Sequence, residues 1–159
     1  MKSLPLFKSH YSLGKSILTL EKSLSVDELK KLGLSSSIER GQASILDLAL
    51  DAKLESVCLV EDNMTGFLEA NKLFNDKKIK MIFGLRIDVT KSIIDQNEQS
   101  LKNRSKYIIF AKDINGYKAL IKIWTTAAKQ GFYYNACIDF SNLKKLWNDG
   151  LTLAVPFYD

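Results

Sequence analysis

Two acidic residues, Glu61 and Asp62, stand immediately after the four-residue apolar run Val57-Cys-Leu-Val. A run of that length suits a buried strand, and α/β proteins hold their ligands in the crevice beyond the carboxyl ends of parallel strands. Adjacent carboxylates there suit divalent-cation binding or proton transfer. Asp88 lies within the next apolar stretch and Asp113 just past the one after it. A plainer reading also exists, because Asp62-Asn63 is what a polar turn and helix start require, both side chains satisfying free backbone N–H groups. Both readings stand for Glu61 and Asp62, and the plainer one is preferred for Asp88 and Asp113. His10 is the only histidine among 159 residues. Zinc hydrolases and histidine-based acid–base catalysts generally use several imidazoles or a thiolate cluster, so this lone histidine reads as a surface or packing residue. The sequence contains no Gly-rich phosphate loop, Cys-x-x-Cys pair, G-x-S-x-G elbow or His-Glu-x-x-His.

The elements that would position these residues follow from the patterning. Residues 4–13 are apolar-rich and suit an opening strand and loop. Ser25-Val-Asp-Glu-Leu-Lys-Lys-Leu reads as a short helix with a serine cap, Glu28 at the capping-box position and Gly33 at its end. From Ser44, read as a cap, Ile45, Leu46, Leu48, Ala49 and Ala52 form an apolar helical stripe. Strand 57–60, a helix over 65–74, strand 80–89, a polar surface loop over 91–104 and strand 107–111 come next. A helix over 116–130 follows, its stripe Tyr117, Leu120, Ile121, Trp124 and Ala128. After Gly131-Phe-Tyr-Tyr, Ser141 caps a helix through Trp147, and 151–155 closes as a strand. Alternating strands and helices predict an α/β fold of βαβ units with a mostly parallel sheet. About five strands are counted, too few for a closed eight-stranded barrel.

Length suits one domain, and at 46% hydrophobic residues the chain is not disordered by composition. No run approaches the ~20 apolar residues of a membrane span, and no signal peptide is read at the N-terminus. Cys58 and Cys137 each sit in an apolar segment and are read as buried, reduced thiols of a cytosolic protein. The net charge of +5 permits nucleic-acid contact without demonstrating it. Its short basic groups (Lys77, Lys78 and Lys80; Lys102, Arg104 and Lys106; Lys144 and Lys145) are each read as solvated surface.

Four blocks resemble the PHP (polymerase and histidinol phosphatase) domain of bacterial DNA polymerase III alpha, and they occur in that family's order. Ser9-His-Tyr-Ser-Leu is similar to its opening H-x-H-S-x-Y-S-L. Cys58-Leu-Val-Glu-Asp-Asn-Met-Thr-Gly-Phe-Leu-Glu is similar to A-L-T-D-H-G-N-M-F-G-A-V-E. Ile79-Lys-Met-Ile-Phe-Gly-Leu-Arg-Ile resembles I-K-P-I-I-G-x-E. The longest block runs Tyr107-Ile-Ile-Phe-Ala-Lys-Asp-Ile-Asn-Gly-Tyr-Lys-Ala-Leu-Ile-Lys-Ile, then Gly131-Phe-Tyr-Tyr and Ile138-Asp-Phe-Ser-Asn-Leu. The resemblance covers about residues 5–13 and 44–155. It implies a single PHP-like domain over 1–159, part of a distorted (β/α)7 barrel, with an insertion at about 14–42. The chain ends directly after a strand, on Pro156-Phe-Tyr-Asp, and is read as a domain interrupted at its C-terminus.

The resemblance also places the family's metal ligands. Its opening histidine pair falls on Leu6 and Lys8, its Asp-His near Glu61 and Asp62, its glutamate on Arg86 and its later histidine on Tyr107. The parent family is a DNA-directed DNA polymerase, but the histidines are gone here and two positions carry cations. The expectation is a site without metal or cofactor, in which Lys8 and Arg86 neutralise Glu61 and Asp62. The implied role is non-catalytic: a structural or partner-binding domain in DNA replication, cytoplasmic, joined to the rest of the polymerase and to a proofreading exonuclease, with DNA reached through the parent enzyme and no membrane contact. One alternative is a divergent phosphoesterase or 3′–5′ exonuclease holding Zn²⁺, Mn²⁺ or Mg²⁺ on Glu61, Asp62, Asp88 and His10. Another is a stand-alone PHP-like binding protein, for example a viral one. Stacking of bases on Gly131-Phe-Tyr-Tyr is considered, with loop packing preferred.

Overall fold

A computed structural model describes residues 6–8 and 45–156. The expected helix over 25–32, the cap Ser44, the insertion at 14–42 and His10 lie outside the described residues. The chain divides into two compact units, Met1–Leu59 with Thr65–Met81, and Val60–Met64 with Ile82–Asp159.

In the first unit, strand β1 (Leu6–Lys8) neighbours strand β2 (Ser56–Glu61), which neighbours the start of strand β3 (Lys80–Thr90). Helix α1 (Ile45–Asp51) buries Ile45, Leu46 and Ala49, one turn of spacing. Helix α2 (Phe67–Asp76) buries Ala70 and Phe74. It begins at Phe67 rather than at Thr65 because Gly66 takes φ 78, a left-handed conformation that favours glycine, so the regular turn starts only after it. These faces close over Val57, Leu59 and Ile79 to form the unit's apolar core.

In the second unit, β3 lies between strand β4 (Ser105–Ala111) and strand β5 (Cys137–Asp139), and β4 pairs on its other edge with strand β6 (Leu151–Ala154). The β3–β4 register sets Arg86 opposite Ile108 and Asp88 opposite Lys106. The β3–β5 register sets Asp88 beside Cys137. This sheet is mixed, which corrects the expected mostly parallel arrangement. β4 runs antiparallel to both β3 and β6, while β3 and β5 are parallel. The physical reason is the 91–104 connection: it carries only the five-residue helix α3 (Glu98–Lys102) and reverses the chain, whereas a parallel neighbour needs a crossover, usually a full helix. Helix α3 arises within the expected loop from a reciprocal cap. Asn97 Oδ1 accepts from the Ser100 N–H at 2.8 Å, and the Asn97 N–H donates to Ser100 Oγ at 3.1 Å.

Helix α4 (Ile114–Gln130) starts two residues earlier than expected because Asp113 is its cap, Oδ1 accepting from the Gly116 N–H at 2.8 Å. Its buried stripe is Gly116, Ala119, Leu120, Ile123 and Ala127. The expected stripe shared only Leu120; Ile121 and Ala128 are exposed, and Tyr117 and Trp124 half-buried. Small residues move the buried face: a Cβ on Gly116 would lie 1.9 Å from the Gly150 carbonyl oxygen, so bare backbone is what lets the helix seat this closely. Helix α5 (Phe140–Leu146) is capped by Asp139, not by Ser141, with Asp139 Oδ1 accepting from the Asn142 N–H at 2.7 Å. The short strand β5 was not expected; its three residues are all buried.

Candidate functional site

The second unit carries a cleft of about 440 Å³. Asp62, Arg86, Asp88 and Lys106 supply its charge, and Trp124, Phe132 and Tyr134 its apolar surface. β3 presents Arg86 and Asp88 on one face by the two-residue period of a strand, and β4 adds Lys106 opposite Asp88. Trp124 comes from α4, and the 131–136 turn brings Phe132 and Tyr134. Both of those rings are exposed, in place of the packed loop expected, and Tyr134 lies edge-on to Tyr133.

Arg86 grips Asp62 with a fork. Nε donates to Oδ1 at 2.6 Å and a terminal guanidinium nitrogen donates to Oδ2 at 3.1 Å. Two parallel charge-assisted bonds fix both groups in one plane. The pair is partly solvated, its side chains 27% and 47% exposed. Below it, Arg104 Nη1 lies 3.7 Å from Asp88 Oδ2, with side chains only 7% and 14% exposed. Arg104 was expected as solvated surface; the structure buries it against Asp88, since a buried guanidinium needs an anionic partner. The same corner holds Cys137. Burial pushes its thiol up, Arg104 draws it down, and Asp88 and Asp139 push it further up. Cys58 is raised by burial alone. Both cysteines are free and buried, as expected.

The structure brings some expected site residues together and separates others. Asp62, Arg86 and Asp88 share the cleft. Glu61, one residue before Asp62, is buried and does not line it. Asp113 is a helix cap, as its plainer reading required. Tyr107 pairs with Ile87, so it lies on the sheet face opposite Arg86, where its ring meets Phe140 edge-on at 5.8 Å. The cleft residue of β4 is Lys106, exposed as a solvated lysine should be. One position along a strand exchanges its faces, and Lys106-Tyr-Ile-Ile carries no polar–apolar alternation to tell the two faces apart. Leu6 and Lys8 lie in β1, their side chains outside the description, and His10 lies outside the described residues altogether.

The cleft does not fit a polynuclear metal centre. Its two carboxylates each face an arginine, Lys106 of β4 lies opposite one of them, and among the described residues no three His, Cys, Asp or Glu side chains cluster to hold an ion. Divalent cations need several convergent anionic or imidazole donors.

An α/β domain with a polar cleft at one end of its central strand is the class these elements define. The chain belongs to the PHP domain family, whose model matches residues 35–157. It is 30% identical over 121 residues to the DNA polymerase III subunit alpha of Borreliella burgdorferi, covering 72% of this chain and 10% of that protein. It is 32% identical over 96 residues to the DNA polymerase III subunit alpha of Aquifex aeolicus, covering 56% of this chain and 8% of that protein. The chain thus spans about a tenth of the length of these relatives. Among the described residues, no helix is long and apolar enough to cross a membrane.

Proposed function

We propose that this chain is the N-terminal PHP-like domain of a replicative DNA polymerase of the DNA polymerase III alpha type, and that it is non-catalytic there. The observation that carries this reading is the Arg86 fork on Asp62. The carboxylate that a metal-dependent phosphoesterase would turn toward its ions is held instead by a fixed organic cation. Of the family's ligand positions in the second unit, Glu61, Asp62 and Arg86 mark the former metal site in this reading, Tyr107 faces away from it, and Lys106 adds a further cation opposite Asp88. The β/α elements form part of a distorted (β/α)7 barrel. The domain is cytoplasmic, and its role is structural: it supports the remainder of the alpha subunit and a proofreading exonuclease.

Metal content tests this. After incubation with Zn²⁺, Mn²⁺ and Mg²⁺ and removal of excess, plasma mass spectrometry should find well under one ion per chain, and a nitrophenyl phosphate ester should not be cleaved above background. One or more ions per chain, with ester cleavage lost in Glu61→Ala or Asp62→Ala, would overturn the proposal in favour of a metal-dependent phosphoesterase.

A further inference from the structure

Helices α4 and α5 together carry five lysines and no carboxylate: Lys118, Lys122 and Lys129 on α4, Lys144 and Lys145 on α5. All five are exposed. Lys118, Lys122 and Lys129 recur at i, i+4 and i+11, so they share one face of the helix. Like charges four residues apart repel one another, and among the described residues no carboxylate lies within ion-pair distance of any of the five. The aspartates at the helix starts are already committed, Asp113 and Asp139 each capping their own helix.

Between the two helices and the turn after α5 lies an open groove of about 590 Å³. Lys118, Lys122, Lys145 and Trp147 line it, together with Asn115, Asp149 and Asp113, whose carboxylate is occupied in capping α4. It shares no lining residue with the Arg86 cleft. Trp147 ends α5 with its indole partly exposed. We infer that this groove binds single-stranded nucleic acid, its phosphates on Lys118, Lys122 and Lys145 and a base against Trp147. Cations interleaved with an aromatic face match a strand in which every nucleotide brings both a phosphate and a π-face. An acidic peptide would use the lysines but has no call on the indole, and a duplex keeps its bases stacked away from it.

The test uses the 159-residue chain and a fluorescein-labelled 20-mer of deoxythymidylate, read by anisotropy. Binding should appear at about 50 mM salt and fall with a log–log salt slope of about −2, the value for three phosphate contacts on a single strand. Lys118→Glu/Lys122→Glu/Lys145→Glu should weaken it about tenfold or more. Lys77→Glu/Lys78→Glu, an equally exposed basic pair on the other unit, should change it less than about twofold. Trp147→Leu should weaken binding about fivefold or more. If the triple variant loses its circular dichroism, Lys122→Gln decides instead, lowering the slope by about 0.7. Absence of binding at low salt, or equal losses in the Lys77/Lys78 control, would overturn the inference. So would a polyglutamate peptide that competes fully while Trp147→Leu binds normally; that result would assign the groove to an acidic protein segment.

Discussion

Two arginine–carboxylate pairs lie within one unit, and they differ in every respect that matters to stability. Arg86–Asp62 is half-solvated and forms two short bonds in fork geometry. Arg104–Asp88 is buried, and its closest approach is 3.7 Å, with Arg104 Nε and Nη1 lacking a hydrogen-bond partner. The well-made pair keeps contact with water, so breaking it leaves neither charge stranded. The poorly made pair is where desolvation is costly, so loss of one partner strands a charge. Good geometry therefore marks a site held in one arrangement, and burial marks the contact on which folding depends.

That contrast sets an order for mutation. Arg104→Ala should destabilise by about 3–5 kcal/mol, because it removes the cation facing a carboxylate that is only 14% exposed; chemical denaturation measures it. A loss under about 1 kcal/mol would show that Asp88 is effectively solvated. The paired change Arg104→Met with Asp88→Leu should return stability to within about 1 kcal/mol of the parent, since a buried ion pair replaced by packed apolar groups is often neutral or better. Failure to recover would mean that the corner needs its charges for specificity of packing. Arg86→Ala should cost less than about 1 kcal/mol, and about 1 M salt should erase the difference while leaving the Arg104 effect in place.

The smallest effect is a pH dependence at Cys137, which reports on the same buried corner. Its thiol is raised above the ordinary value of 9.0 by burial first, with Arg104 opposing. The folded state then holds this proton more tightly than the unfolded chain. The stabilisation is fully present below the ordinary value and is lost as pH rises through the folded one. Denaturation midpoints should fall as pH rises above about 9, less steeply in Cys137→Ala. An unchanged slope in that variant would assign the alkaline loss to Cys58 and Tyr117, which burial also raises.

Much of the described chain could be read in the sequence. The strands at 57–60, 80–89 and 107–111 and the helix over 116–130 were found to within a few residues, because apolar runs and helical spacing are local signals. The pairing of Asp62 with Arg86 was expected only through resemblance, since the two lie 24 residues apart. Arg104 and Lys106 looked alike as members of one basic cluster. They part company because β4 presents Lys106 to the cleft, while Arg104, just before the strand, turns into the interior beside Asp88.

The residue order alone decided where the longer strands and helices fall, that Asp113 belongs to a helix start, and the family to which the chain belongs. These depend on contacts within a few residues or on motifs that survive as linear text. The tertiary structure alone decided that the sheet is mixed, that Tyr107 and Arg86 face opposite sides, and which arginine is buried. Those outcomes rest on strand register, where a shift of one residue sends every side chain to the other face.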